Sequence, residues 1–163
     1  MPLDRRHFIA GAASAPVAAP AAAAPAAAAR RIVADGAVFA WRHAEGRIAC
    51  EFDAPAPGWV AVGFNAARQL RGTRFVIAAT SPVRIEERIA RVPAHVPAAH
   101  AALVSATVAR QHGRTRLAFA WPHEIPGGPL LAPGTSAHAM LAWWHDDDFQ
   151  HHSAWRRHFD VVL

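Results

Sequence analysis

From residue 48 onward, apolar side chains return at every second position far more often than at helical spacing. Ile48, Cys50 and Phe52 share one face of a predicted strand, with Ala49 and Glu51 on the other, as in a half-buried β-strand. The Pro/Gly run at 54–58 breaks the pattern, and 59–64 (WVAVGF) predicts a second strand that is apolar on both faces. Further strands are predicted at 73–80, 83–90, 103–110, 137–144 and 157–163, and around Leu117, Phe119 and Trp121. The Pro/His/Ala-rich stretch 92–102 and the Pro/Gly-rich stretch 122–135 read as connections. No window carries a helical stripe longer than two turns, and no fixed-period repeat is present. About nine strands separated by turn signals predict an all-β fold, an immunoglobulin-like two-sheet β-sandwich.

Ahead of that region the chain changes character. Residues 1–29 hold Arg5-Arg6 followed by Phe8 and Ile9, then an Ala-dominated stretch with small-residue cleavage sites. This is the order of a secretory signal, and the arginine pair resembles the twin-arginine variety. Pro16, Pro20 and Pro25 interrupt the stretch and argue against a membrane anchor. A disordered Ala/Pro arm is the other reading. The expectation is one domain over 30–163, working in the periplasm or beyond, with no membrane span.

The formal net charge of +5 does not point to nucleic acid. Every basic residue is Arg, and the arginines are scattered through alternating segments without forming a continuous face. Cys50 is the single cysteine and reads as a small buried hydrophobe. There is no G-x-S-x-G elbow, no H-E-x-x-H pair and no Gly-rich phosphate loop, so no catalytic residue is assigned and the chain reads as a non-enzymatic binding domain.

Three segments in order, 58–65 (GWVAVGFN), 70–78 (LRGTRFVIA) and 152–156 (HSAWR) before a terminal strand, resemble the DOMON family of extracellular sandwich domains. That family includes b-type cytochrome domains and sugar-binding relatives. The resemblance implies a haem b held between loops at one end of the sandwich, with axial ligands from a Met after the G-W strand and a His near the C-terminus. His152 matches the His. Leu70 stands where the Met is expected and cannot ligate iron.

Three possibilities follow from Leu70: a five-coordinate haem, a replacement donor from Met140, His95 or His100, or a pocket holding another ligand or none. Met140 alternates with Ala142 and Trp144 and also reads as a core residue; His95 and His100 also read as solvated loop residues. The resemblance places Arg156 near a haem propionate, where a guanidinium fork suits a carboxylate. Trp59, Phe64, Leu70 and Phe75 would furnish apolar walls. His151 would face away from His152 if the backbone there is extended.

The cluster His145-Asp146-Asp147-Asp148 with His151 and His152 fits no defined metal spacing and reads equally as an acidic turn. Of the adjacent Trp143 and Trp144, one points inward and the other outward. The expected role is electron transfer or sensing with a separate redox or membrane partner. The alternatives are a carbohydrate- or small-molecule-binding module without iron and a metal-binding accessory protein.

Overall fold

The computed structural model describes residues 29–153 and 155–163. The segment read as an export signal therefore lies outside the described residues except for Ala29. The described chain is all β. Its strands are β1 (Arg30–Ala34), β2 (Ala37–Ala44), β3 (Arg47–Ala54), β4 (Val60–Asn65), β5 (Arg74–Thr80), β6 (Val83–Arg91), β7 (Ala94–Pro97), β8 (Ser105–Gln111), β9 (Arg114–Pro122), β10 (Ser136–Trp143) and β11 (Trp155–Val162). They form two antiparallel sheets, ordered β1-β2-β3-β9-β8 and β11-β10-β4-β5-β6-β7.

Local chemistry sets the tight turns of the five-stranded sheet. Asp35-Gly36, Glu45-Gly46 and His112-Gly113 each place two successive residues at positive φ. Two-residue hairpin loops of that kind match the twist of the flanking strands. Alternation then decides which side chains meet between the sheets. Phe39, Ile48, Phe52, Leu117 and Trp121 from one sheet pack against Val60, Val62, Phe64, Val76 and Leu141 from the other. Each such burial contributes about 1.5–3 kcal/mol. Cys50 lies in this core and is free.

Two polar arrangements close the sides of the sandwich. Along one side, Asp35 accepts from Trp155 Nε1 at 2.9 Å and pairs with Arg157 at 2.9 Å. Along the other, Arg74 and Glu87 form a buried ion pair, with side chains only 3% exposed. Glu87 also accepts from the backbone N–H groups of Ala102 (2.7 Å) and Leu103 (3.0 Å), and Arg74 donates to the His100 carbonyl. The pair thereby fixes the segment that crosses from β7 to β8.

The structure departs from the sequence reading in β1, β2 and β7. The first two were not assigned, and the third lies inside the stretch read as a connection. β7 is a four-residue edge strand, exposed at Ala94, Val96 and Pro97, so it carries little alternation to read.

Candidate functional site

The doubly apolar run of β4 has a structural cause. Val60, Val62 and Phe64 face the other sheet, while Trp59 and Ala61 face outward. On that outer face they join Phe75, Ile77, Met140 and Ala142 in a second apolar cluster, separate from the inter-sheet core. Two glycines of the same run permit it. A Cβ at Gly58 would lie 2.2 Å from the Asp146 carbonyl oxygen, because the chain after β10 crosses there. That crossing is fixed by Trp59 N–H donating to Asp146 O (2.8 Å) and Trp144 N–H donating to Trp59 O (2.9 Å). At Gly63 a Cβ would stand 2.6 Å from that of Phe75, so glycine makes room for the aromatic floor.

Three segments wall this floor into a pocket: Leu70 after β4, Val92 to His95 of the β6–β7 hairpin, and His151 to Ser153 together with Arg156 at the start of β11. It encloses about 90 Å³. Asn65 shapes the first wall. Its Nδ2 donates to the carbonyls of Gln69 (2.9 Å) and Arg71 (3.0 Å), and its Oδ1 accepts from Ala67 N–H (3.3 Å). Gly72 N–H then donates to Ala90 O at 2.9 Å and ties the loop to β6. Asn at a strand end followed by a turn is the sequence signal for this role, and the sequence reading did not assign it.

The third wall is held by Asp146. It accepts from His151 Nδ1 (2.7 Å), Trp144 Nε1 (3.1 Å) and the Asp148 N–H (2.9 Å). Partial desolvation works to raise the Asp146 carboxyl, but those donors hold it below the ordinary range. The same hydrogen bond and charge raise the affinity of His151 for a proton. The acidic cluster therefore organises a loop. Among the described residues no group of three or more His, Cys, Asp or Glu is placed to hold a metal ion.

His95 differs from a solvated loop residue. It is half-buried in the pocket wall, edge-on to Phe75 with ring centroids 5.6 Å apart. Arg88 Nη1 donates to its Nδ1 at 2.6 Å, and Arg88 is itself held by Glu86, at 2.8 Å from Nε. Burial, then the Arg88 charge, lowers the His95 pKa. His100 is exposed and lies away from the pocket.

The structure brings His152, Arg156, Trp59, Leu70, Phe75 and Met140 to one pocket, together with His95. It corrects three expectations. Phe64 is fully buried in the inter-sheet core, because counting from outward-facing Trp59 puts it on the inner face. The pocket opens on the outer face of the six-stranded sheet, not between loops at an end of the sandwich. His151 and His152 both line it, since that stretch is a bend without strand alternation. Of the tryptophan pair, Trp143 packs toward the inter-sheet core and Trp144 against the outer cluster.

Met140 and Arg156 owe their places to register. Met140 pairs with Gly63 and His158, and Arg156 pairs with Ala142 of the floor. Beside them, Asp160 accepts from His138 Nδ1 (2.8 Å), and His138 Nε2 meets His158 Nδ1 at 2.9 Å. The sequence reading missed this carboxylate–imidazole–imidazole array, because its members come together only through the β10–β11 register.

Two antiparallel sheets packed face to face, with an apolar pocket on the outer face of one, make a β-sandwich. A solved structure similar to this chain is the cytochrome b domain of pyranose dehydrogenase from Coprinopsis cinerea, with 16% identity, 80% of each chain covered and a TM-score of 0.55. At that identity the likeness concerns the fold. No family model matches the sequence, and no curated protein matches it. No helix among the described residues is long and apolar enough to cross a membrane.

Proposed function

We propose that the outer-face pocket is a ligand site for a b-type haem and that the domain serves electron transfer or sensing with a separate partner. The observation that carries this reading is the convergence of His152 and Arg156 on an apolar floor of Trp59, Phe75 and Met140, within a sandwich folded like a cytochrome b domain. The donor chemistry fits. His152 offers an exposed imidazole, Met140 a buried thioether, and Arg156 a guanidinium for a propionate. Leu70 contributes only apolar wall. His95 is engaged by Arg88 and belongs to the wall in this arrangement. The enclosed 90 Å³ is well below the roughly 300–1,000 Å³ of typical cofactor sites. A macrocycle therefore requires the 92–95 hairpin and the 151–153 bend to part.

When bound, haem supplies a one-electron couple. The protein's part is to hold the iron through His152, to exclude water with Trp59 and Phe75, and to neutralise a propionate with Arg156. Export by the twin-arginine route, which carries folded cargo, suits a domain that loads its cofactor before leaving the cytoplasm. An absorption titration of the purified chain with haemin tests the reading. A Soret band shifted from that of free haemin and lost in His152→Ala is expected; a spectrum unchanged by the protein sinks it.

A carbohydrate reading has one specific support. Trp143 and Trp155 stack at 3.2 Å beside Pro55 and Pro57 in a separate cleft of about 180 Å³. The cleft lining of Pro55, Pro57, Trp143, Trp144 and Trp155 offers apolar surface of the kind a pyranose ring packs on. Saturation-transfer NMR with simple pyranosides distinguishes the two readings, since haem would leave these tryptophans unperturbed.

A further inference from the structure

The chain holds eleven histidines, and among the described residues two pairs of them meet nitrogen to nitrogen. His43 Nδ1 lies 3.1 Å from His123 Nε2, and His138 Nε2 lies 2.9 Å from His158 Nδ1. A hydrogen bond alone accounts for either distance. What surrounds the second pair sets it apart. Asp160 Oδ1 accepts from His138 Nδ1 at 2.8 Å, and Arg68 Nη1 stands 3.4 Å from the other carboxylate oxygen. An ionised carboxylate has no proton to give. The proton of neutral His138 therefore sits on Nδ1, and the lone pair of its Nε2 faces His158. Among the described residues no carboxylate reaches His43 or His123, and His43 Nε2 has no partner.

Register builds this arrangement on β10 and β11: His138 lies opposite Asp160, and His158 lies opposite Met140. The rings of His138 and His158 are 14° from parallel. Their nitrogens are closer than the about 3.5 Å between stacked faces, so the rings meet through the edges that carry the lone pairs. An imidazole that binds a metal characteristically gives its other N–H to a carboxylate, which fixes the ring and strengthens the donor. Two such nitrogens on one ion, at bonds of about 2.0–2.1 Å, stand about 2.8–3.4 Å apart. The 2.9 Å here falls within that span. A cleft of about 250 Å³ lined by Arg68, Ser136, His138 and Asp160 gives an ion a way in from solvent. Neither His138 nor His158 lines the apolar pocket.

We propose that His138 Nε2 and His158 Nδ1 form a two-imidazole site for a divalent transition-metal ion, with Asp160 as a positioning residue. Copper(II) is held most tightly, because it heads the affinity order of such ions on nitrogen donors. Binding exchanges one N–H···N hydrogen bond for two metal–nitrogen bonds. The His158 proton moves from Nδ1 to Nε2, so both imidazoles stay neutral and no proton is released. Water fills the remaining positions, which makes the site open and exchangeable, unlike a closed structural centre.

The test uses the full chain without haem, so its outcome is independent of the haem reading. Copper(II) is titrated in and followed by calorimetry, with electron paramagnetic resonance at one equivalent. The first equivalent should carry the hyperfine pattern of two imidazole nitrogens. His158→Gln should weaken its binding at least about 10-fold, and Asp160→Ala by about 10- to 100-fold, the usual weight of a lost outer partner. His123→Gln, in the pair without a carboxylate, and His151→Gln, in the acidic loop, should leave it unchanged. Asp160 is exposed, so Asp160→Ala reports on the site even where His158→Gln disturbs the strand; urea midpoints check both. A first equivalent unchanged in either His158→Gln or Asp160→Ala, or lost in His123→Gln or His151→Gln, overturns the proposal. So does a spectrum with fewer than two imidazole nitrogens.

Discussion

The two sheets of this sandwich share a core yet turn opposite characters outward. On the five-stranded sheet, the outward positions of β2, β3 and β9 include Ala40, Ala49, Ala118 and Ala120 beside Glu51, Asp53 and Arg116. A broad depression of about 320 Å³ lies there, larger than the pocket on the other sheet. It is shallow, paved with small residues, and bordered by the exposed Arg116–Glu51 pair. On the six-stranded sheet the outward positions carry Trp59, Phe75, Ile77 and Met140, and loops fold over them. Volume alone would pick the five-stranded face. A site needs large apolar contact area, a few free polar groups and walls that exclude water, and only the six-stranded face has all three.

The sharpest contrast in stability should lie between the ion pairs of the two sheets. Glu87→Gln leaves Arg74 buried with its partner charge removed, and its single remaining acceptor oxygen can serve Arg74 or the Ala102 and Leu103 N–H groups but not both. A loss of about 3–5 kcal/mol is expected in urea unfolding, as for other broken buried pairs. Gly63→Ala comes next. Its Cβ meets Phe75 Cβ at 2.6 Å and the Arg74 carbonyl at 2.9 Å, so overpacking should cost about 1–3 kcal/mol. The same variant should weaken ligand uptake by displacing the Phe75 floor, which binding titrations would detect.

Acid should act in a defined direction. Burial, then neighbouring positive charge, lowers the folded-state pKa of His95 and His158 on the six-stranded sheet; burial, then His123, does so for His43 on the other. A histidine of lowered folded pKa is fully stabilising above the unfolded value of about 6.5, and its contribution fades as pH falls through and below it. Exposed His151, whose pKa is raised, works in the opposite sense: its contribution is present below about 6.5 and fades as pH rises through the folded value. Denaturant midpoints should therefore drop on acidification below about pH 6.5. Replacing His95 and His158 by Asn should flatten that slope more than replacing His43. An unchanged slope in the double variant would contradict the assignment. The smallest effect is expected for Glu51→Gln, which loosens a pair with side chains 59% and 56% exposed and should cost about 0–1 kcal/mol.

Much of the fold was legible because strands write their faces into the sequence. The run 59–64 already carried the essential clue, since a strand apolar on both faces must cover something on its second face. Its phase was harder to read. Trp59 was placed beside Phe64 as a pocket wall, but a period of two puts them on opposite sides, and only the packing of Phe64 against Phe39 and Trp121 reveals which. His95 was illegible for a different reason. Its short edge strand has no pattern, and its burial comes from Phe75 and Arg88 on neighbouring strands. The His138–His158–Asp160 array was hidden likewise, because strand register and not spacing brings it together. The cluster at 145–152 left a metal reading open beside that of an acidic turn because its carboxylates and imidazoles are close in sequence. In the fold Asp146 and Asp148 are spent on His151 and on backbone N–H groups, and Asp147 pairs with Arg110.

The claim that the outer face of the six-stranded sheet is the binding site is tested most directly by a paired haemin titration. Ala142→Glu places a carboxylate on the floor of the pocket, and Ala118→Glu places one on the outer face of the five-stranded sheet. Both chains should remain folded by circular dichroism. The Soret shift of the unmodified protein should vanish in Ala142→Glu and persist in Ala118→Glu. Retention of the shift in Ala142→Glu, or its loss in Ala118→Glu alone, would contradict it.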